Sequence, residues 1–474
     1  MRLSHTLGRT SAAFDDPNLV SAGGLVPVVA PAESAGLGAL ADEHLTVPTD
    51  KGANAGLKVT SLVGGMVAGA DSIDDMALLR HGGMERLFTR VYAPSTLGSF
   101  LRSLTFGHVR QLDAIASRFL IALAGLPTSW ATRLLLLALP IPMPGMRWLM
   151  SMTPSSRSTA TATRVRGSAT PGPVGLNALL ATLTTATTAP VIVAQRLCKG
   201  PCGSPRGAKR LVADAVKTTR RLLGTTRQVL VRMDSAFYSH AAAALAGGAR
   251  ASVTGRRDPA GKKAIATITE EAWTSIEYTN AIFDEATNAW ISRAEVAEVP
   301  FTAFARKKNN RAPGRLVVRW IPDFNAEAHR AAGQETLFDV WRFHAFFTTA
   351  DHEVLDTLAA DKTRRRHAVI EQVHAGLKHS ALAHLPSGVF TANAAWLVLA
   401  VIAFNLTRSA ASLTEPDLLR ATTATIRRKL ISVPARVATS ACRITLHLPV
   451  AWPWHAPWMA LFDRVHGPPP AHAA

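Results

Sequence analysis

The chain has 474 residues, of which 48% are hydrophobic, and its mean hydropathy is +0.13. These values exclude an intrinsically disordered protein and leave room for two or three domains, each with its own core. Lysine and arginine outnumber aspartate and glutamate by 52 to 33, and the net charge of +19 indicates a polyanionic partner. A basic soluble protein without such a partner is the alternative.

Cysteine usage and apolar segments limit the cellular context. The three cysteines, Cys198, Cys202 and Cys442, are too few for a disulfide framework and fit a reducing cytoplasm. No second Cys or His pair lies near the first two, so a zinc knuckle is not predicted. Residues 131–150 are apolar, but prolines and arginines within them disfavour a membrane span, and no secretory signal is visible. A membrane-associated protein using 131–150 is therefore disfavoured.

Residues 1–126 are predicted to be helical. From Thr96 onward, apolar residues recur at helical spacing with basic residues between them, in TLGSFLRSLTFGHVRQLDAIASRFLIALAGL. Pro94, Ser95 and Thr96 supply turn and capping residues at its start. Two interpretations stay open: a helix that lies on DNA, or a core helix with a solvated basic face.

Residues 127–173 are compositionally aberrant, since no acid occurs between Asp113 and Asp214 and the segment has neither helical nor strand periodicity. One interpretation is a low-complexity linker. The other is translation out of frame. The single Met codon followed by a Thr codon contains GAC, an Asp codon, one base early. With suitable neighbouring codons, Leu149–Thr153 shifts to Asp-Val-Asp-Asp and Ser158–Thr161 to His-Gly-Tyr. We expect no packed strand in this segment, and a restored frame near Val174.

Residues 174–255 alternate strands and helices, which predicts an α/β unit. The strands are PVIVAQRL, QVLVRMD and ASVTG, and the helices are AKRLVADAVKTTRRLLG and HAAAALAGG. The segment VGLNALLATLT fits either type. Asp234 follows a short apolar strand, at the carboxyl end where such sheets place their sites.

Residues 256–345 change to short β-like runs and are predicted to be a β-rich insertion between two halves of the α/β core. A basic loop, RKKNNRAPGR, lies between two of these runs, and we expect its Lys307 and Lys308 to contact DNA. Residues 361–408 return to helix, and 346–410 are predicted to be the second part of the core. The tail, 411–474, has a basic helix in TIRRKLISVPARVA and a strand in ITLHLPV.

Two carboxylates, 137 residues apart, suggest a polynucleotidyl-transfer site. Phosphodiester chemistry uses a pair of Mg²⁺ ions about 3.5–4 Å apart, held by carboxylate oxygens. Asp234 at a strand end and Glu371 on a helix fit two of the ligand positions, and Lys378 shares the helix face of Glu371. The alternatives are ordinary ones: a turn or cap role for Asp234, and a solvated helix face for Glu371 and Lys378.

Long specific blocks cover nearly the whole chain except about 127–173: DEHLTVPTDKGANAGLKVTSLVGGMVAGADSIDDMALLRHGG, TFGHVRQLDA, GLNALLATLT, VRMDSAFYS, SVTGRRDPA, AEVPFTAF, HAVIEQVHAGLKHSALAHLPSGVFTANAAWLVLAVIAFNLTR and LPVAWPW. By these blocks the chain resembles bacterial insertion-sequence DDE transposases, and most closely the family called insertion sequence thirteen-eighty. The resemblance implies an α/β fold with an RNase H-like core, interrupted by a β-rich insertion, and a helical N-terminal domain.

The resemblance also implies residue roles. Asp234 and Glu371 match the second and third catalytic acids, which hold Mg²⁺ or Mn²⁺. Lys378 matches the lysine that follows the glutamate, whereas Arg364 and His367 stand where related groups carry Tyr and Arg. We expect these three basic side chains to contact DNA.

The first catalytic acid of the resembled family is missing from this sequence. It is expected near Met150–Met152, just before the GLNALL block, where the motif reappears only in the shifted frame. Gly255, Gly261 and Gly376 stand where bulkier or acidic residues are expected, and a glycine inside a helix costs about 1 kcal/mol relative to alanine. Together these departures predict a decayed copy.

The functional prediction is a DDE transposase with metal-dependent cleavage and strand transfer at terminal inverted repeats, impaired by loss of the first acid. The alternative is a non-catalytic DNA-binding relic that occupies the element's ends. The expected partners are terminal inverted repeats and target DNA, both double-stranded, with a homodimer on paired ends and no membrane. The expected location is the cytoplasm, associated with the nucleoid.

Overall fold

The computed structural model describes most of the chain outside the segment 127–147. The described residues are 4, 9–126, 148–154, 176–185, 188–199, 207–224, 227–255, 258–277, 282–284, 289–291, 294–304, 311–322, 341–365, 369–414, 416–441 and 443–467.

The described helices are α1 (Leu25–Ser34), α2 (Leu37–His44), α3 (Ala55–Ala68), α4 (Met84–Leu87), α5 (Pro94–Ser103), α6 (Phe106–Gly125), α7 (Ala208–Leu223), α8 (Ala241–Ala246), α9 (Pro259–Ile265), α10 (Thr357–Arg365), α11 (Val369–Lys378), α12 (Phe390–Ser412), α13 (Thr423–Ile426) and α14 (His455–His466). The described strands are β1 (Leu19–Val20), β2 (Trp148–Pro154), β3 (Leu176–Thr184), β4 (Val191–Lys199), β5 (Val229–Met233), β6 (Arg250–Thr254), β7 (Thr274–Ser275), β8 (Ile282–Asp284), β9 (Ala289–Ile291), β10 (Glu295–Ala303), β11 (Ala312–Pro322), β12 (Trp341–Thr348), β13 (Ala435–Ser440) and β14 (Arg443–His447).

Nine strands form one mixed sheet in the order β4-β3-β2-β5-β6-β12-β11-β10-β7. Strands β2, β5 and β6 are parallel to one another. On one side β3 and β4 add antiparallel pairs, and on the other β12, β11, β10 and β7 do the same. The alternation of strand and helix predicted for 174–255 is confirmed, with GLNALLATLT forming a strand rather than a helix.

Helices cover both faces of the sheet, because alternate residues of each strand point to opposite sides. Leu179 and Ala181 of β3 pack in one cluster with α7 and α8. Their neighbours Ala178 and Leu180 pack in another with Val373 of α11 and with α12. The helix that carries Glu371 therefore lies on the opposite face of the sheet from α7.

Strand β2 corrects our expectation that 127–173 contains no packed strand. Trp148–Pro154 lies inside the sheet, antiparallel to β3 and parallel to β5. Its sequence, WLMSMTP, contains no charged residue, so it shows no alternation of apolar and charged positions. The remaining residues of 127–173 lie outside the described part of the chain.

The β-rich segment extends the central sheet. Strand β12 pairs with β6, and β11 and β10 continue outward, so the predicted strands RLVVRWIPDF and DVWRFHAFFT are confirmed over their described residues, up to Pro322 and from Trp341. Strands β8 and β9 form a separate two-stranded hairpin from FDEATNAWIS. The strands between β6 and α10 thus widen the sheet by four strands on the side away from β4.

The N-terminal helices and the C-terminal segment share one hydrophobic core around α12. This core joins residues between Val20 and Leu123 with residues between Ala381 and Leu461. Helix α12 is long and apolar enough to cross a membrane, yet 89% of its most apolar 18-residue stretch is buried within the protein. Asn405 of α12 accepts from the Ile192 amide and donates to the Ile192 carbonyl, both at 2.8 Å, which ties the helix to edge strand β4.

Two predicted helices are shorter than expected. The segment starting at Thr96 is broken at Leu104, and Thr105 caps α6 through a box with His108. A Thr followed by an apolar residue is a typical helix start. In the tail, TIRRKLISVPARVA forms α13, a single π turn at Arg427–Ile431 and then β13, because Pro434 precedes the strand and cannot continue a helix.

Candidate active site at the ends of the parallel strands

Asp234 lies directly after β5, with extended backbone angles, at the carboxyl end of the central strands. Its Oδ1 accepts a hydrogen bond of 2.6 Å from the Ser235 amide, which caps the turn Ser235–His240. The strand-end position predicted from the sequence is confirmed, and so is the capping contact that we considered as the ordinary alternative. One oxygen is thus engaged locally, and a ligand role for the carboxylate stays a prediction.

Arg364 of α10 joins the ends of β5 and β6 beside Asp234. Its guanidinium donates to the Met233 carbonyl at 3.1 Å, to the Ser252 carbonyl at 3.4 Å, and to the Thr254 hydroxyl. Burial lowers the pKa of Arg364 to about 10, and the charge of Asp234 acts in the opposite direction. These bonds hold the strand ends together, so Arg364 positions Asp234, and its predicted DNA contact stays a prediction.

Two further charged residues near Arg364 were not identified from the sequence. Arg232 of β5 is buried and donates to the Thr363 carbonyl at 2.6 Å, which anchors α10 to the sheet. Asp361 is also buried, and its carboxylate pairs with Arg365 Nε at 2.7 Å and Arg319 at 3.7 Å. A charged residue inside the apolar run Val-Leu-Val-Arg-Met was the available signal, since a buried charge requires a partner. Asp361 is held by two arginines and is not a free ligand.

Glu371 lies in the first turn of α11 and is exposed, and Lys378 lies in its last turn. The prediction that both share one helix is confirmed. Helix α11 packs against β2, so Glu371 lies on a helix that contacts the strand next to β5, after which Asp234 follows. His374, between them, is half-buried, and burial together with the charge of Lys378 lowers its pKa to about 4. At neutral pH its imidazole is therefore uncharged.

The pairing of β2 shows which of its positions share a face with Asp234. Met152 is in register with Met233 of β5, and Ser151 with Arg232. Since parallel residues in register share a face and alternate along the strand, Ser151 lies on the face of Arg232 and Asp234. The pairing of β2 with β3 gives the same face. Thr153, two residues after Ser151, is opposite Leu180, and Leu180 packs with α11.

The donor set does not fit a complete two-metal cage. Among the described residues, no three His, Cys, Asp or Glu side chains are grouped to hold a metal ion. Asp234 and Glu371 are the two candidate carboxylates, whereas Ser151 and Thr153 stand at the β2 positions that share a face with Asp234. Three predicted DNA contacts, His367, Lys307 and Lys308, lie outside the described residues.

The comparisons with known proteins identify a family. Residues 186–467 match the family described as Transposase DDE domain group 1, which covers more than half of the chain. No curated protein sequence matches. Among solved structures, the cryo-EM structure of the piggyBac transposase synaptic complex with hairpin DNA is similar over 87% of this chain and 81% of that one. Its 10% identity and TM-score of 0.37 support no inference.

DDE transposase domains generally transfer nucleotidyl groups with divalent metal ions. The family match begins before β4 and extends through α14, so it includes Asp234, Arg364, Glu371 and Lys378. The mixed sheet with helices on both faces is the scaffold that carries these residues. The chain belongs to the DDE transposase domain family.

Proposed function

We propose that this protein is the transposase of a bacterial insertion sequence, similar to the family called insertion sequence thirteen-eighty, and acts on terminal inverted repeats. Its core is RNase H-like, formed by β4-β3-β2-β5-β6. Support comes from the order of these strands, with three parallel strands, two antiparallel ones and helices on both faces. Strands β7 and β10–β12 are the β-rich insertion of that core.

The observation that carries the proposal is the arrangement around β2. In this family the reaction depends on carboxylates that hold Mg²⁺ or Mn²⁺. Asp234 ends the strand beside β2, and the Glu371 helix packs on β2, so the first acid belongs on the strand between them. That strand holds no acid at all. The metal-binding set is therefore incomplete, and cleavage is lost or severely reduced.

The experiment is a nicking assay on a supercoiled plasmid that carries the element's ends, with Mg²⁺ and with Mn²⁺. The native chain is expected to bind the ends and to cut no more than the Asp234→Asn variant does. Robust metal-dependent cutting by the native chain, abolished in Asp234→Asn, would show that the active site is intact and contradict the impaired-site proposal.

A second candidate function is supported by the same deficit together with the charge. A chain that has a net charge of +19 and only two of the family's three catalytic acids is suited to binding the element's ends without cutting them. Binding to terminal-repeat DNA is expected to weaken steeply with salt, because cations on the protein displace counterions from phosphates. Equal affinity for terminal-repeat and unrelated duplexes would rule out this role.

The setting of this activity follows from the same proposal. The partners are the paired terminal repeats and a target duplex, and a homodimer holds the two ends together. The protein acts in the cytoplasm, on DNA of the nucleoid. Sedimentation of the protein with and without paired-end DNA measures the dimer, and a complex with one protomer per two ends would contradict it.

A further inference from the structure

A groove runs between α7 and α8 on the face of the sheet away from Glu371. Its volume is about 740 Å³, and the residues that line it are cationic or small: Lys209, Ala213, Val216, Lys217, Arg220, Arg221, Gly224, Ala243, Ala246 and Gly247. Helix α7 belongs to the cluster that contains Leu179 and Ala181, whereas α11 belongs to the cluster on the other face. The groove is thus separate from the site around Asp234.

One wall of the groove is a row of four exposed residues on α7, three of them basic. Lys209, Ala213, Lys217 and Arg221 recur every fourth residue. Residues four apart stack on one face of a helix. The row from Lys209 to Arg221 spans about 18 Å at 1.5 Å per residue. That length matches about five successive phosphates of one DNA strand at 3.4 Å spacing along the axis.

The floor of the groove is fixed and lacks large side chains. Arg220 donates from Nε to the Gly247 carbonyl at 3.0 Å and from Nη2 to the Gly248 carbonyl at 2.6 Å. These bonds tie the end of α8 to α7. Ala243 and Ala246, together with Gly247, leave the space between the helices open, so a backbone-sized ligand meets no bulky side chain.

The acid on α7 does not neutralise the row. Asp214 pairs with Arg110 of α6 at 3.2 Å and with Arg210 at 3.8 Å, on the side of the helix that faces the N-terminal helices. No other acid occurs in α7. The exposed side of the helix therefore presents positive charge along its whole length, which is complementary to a chain of phosphates.

We propose that this groove binds the phosphate backbone of double-stranded DNA, at a contact separate from the strand-cleavage site. Lys209, Lys217 and Arg221 contact phosphates of one strand within the span of about 18 Å. Since backbone contacts carry no sequence information, the surface holds DNA of any sequence, such as the duplex flanking a bound end. The contact is independent of metal binding at Asp234 and Glu371.

The test uses the full chain and an unrelated duplex of about 30 base pairs, since sequence is irrelevant to such contacts. The groove variant is Lys209→Gln/Lys217→Gln/Arg221→Gln. Its control, Arg420→Gln/Arg428→Gln/Arg443→Gln, removes equal charge from exposed positions of the C-terminal tail. Each phosphate contact contributes about −0.9 to the slope of log K against log salt concentration, so the groove variant should lose about 2 to 3 units of slope.

The control variant is expected to lose less than about 1 unit, because general charge without contact contributes little to the slope. Equal losses of slope in both variants would overturn the proposal.

A second variant, Ala213→Glu, keeps every cation and is accommodated on the helix, since the new carboxylate lies four residues before Lys217. It should weaken DNA binding as well. If duplex RNA binding changed in these variants while DNA binding did not, the occupant would not be DNA. None of these outcomes depends on cutting.

Discussion

At the scale of single residues, the register of β2 bears on the position expected for the first acid of the resembled family. The sequence resemblance placed it near Met150–Met152, and the register of β2 narrows this to positions that share a face with Asp234. Ser151 meets that condition, and Met152 lies on the opposite face. A carboxylate at position 151 would therefore share a face of the sheet with Asp234, whereas one at position 152 would lie on the side of α7.

Ser151→Asp is therefore expected to create Mn²⁺ binding that Met152→Asp does not, because hard cations need several carboxylates on one side of the sheet. The measurement is a titration of Mn²⁺ followed by the electron paramagnetic resonance of the free ion. Adding Asp234→Asn to Ser151→Asp should abolish the new site. Binding of equal strength in the Met152→Asp variant would show that the face assignment is incorrect.

Gly376 shows that an unexpected residue is not always evidence of decay. It is buried, and a Cβ there would lie 2.9 Å from Thr423 Oγ1 and 3.5 Å from the Arg408 guanidinium. Helix α11 thus approaches α13 closely because position 376 lacks a side chain. The structure gives this glycine a packing role, which corrects its interpretation as a mark of a decayed copy.

At the scale of elements, the α11–α13 contact predicts coupling between two substitutions. Gly376→Ala gains about 1 kcal/mol of helix propensity but displaces Thr423 in the native background. In a Thr423→Ala background the displacement disappears, so Gly376→Ala should be more stabilising there by roughly 1 kcal/mol. A double-mutant cycle of unfolding free energies measures this. Additivity within about 0.5 kcal/mol would contradict the close approach.

The interface between α6 and the sheet contains a buried acid. Asp113 pairs with Arg110 at 2.6 Å and accepts from Gln195 of β4 at 2.9 Å. These contacts favour its charged form, yet burial outweighs them and raises the pKa of Asp113 to about 6. Its side chain is 17% exposed, so solvent screens it little. Arg110 also pairs with Asp214 of α7, which joins three elements.

The folded protein holds the Asp113 proton more tightly than the unfolded chain does. The contribution of this proton to the free energy of unfolding is therefore present below about pH 4 and is lost as pH rises through about 6. The loss is about 2 to 3 kcal/mol at 1.36 kcal/mol per pKa unit. Asp113→Asn should remove that pH dependence. Chemical denaturation of both proteins at low and neutral pH is the measurement. An unchanged difference between the two pH values in Asp113→Asn would contradict the assignment.

At the scale of the whole molecule, the N-terminal and C-terminal segments form one body. The N-terminal helices, α12 and the tail share a core, and α12 also packs on the sheet. The sequence predicted helical structure for residues 1–126 and 361–408, but it did not show that residues roughly 300 positions apart meet. Helix α12 is buried almost all round, so no polar face indicated its neighbours.

The parts of the site were predictable to different degrees. Asp234 and Glu371 stood out because an acid at a strand end and an acid on an amphipathic helix are local patterns. Arg364 bonds to the Met233 carbonyl, and Arg232 bonds to the Thr363 carbonyl. Each bond joins residues 131 positions apart, which the sequence spacing alone does not reveal. Strand β2 was missed because WLMSMTP contains no charged residue, and apolar residues therefore do not alternate with charged ones.

This transposase, we propose, has lost the first acid from β2 through a shift of reading frame. The most direct measurement is the nucleotide sequence across codons 126–174, translated in all three frames. We predict that a neighbouring frame is open and spells Asp-Val-Asp-Asp, followed by His-Gly-Tyr. Stop codons in both neighbouring frames, or open frames without acids, would contradict the frameshift and show that WLMSMTP is the genuine strand.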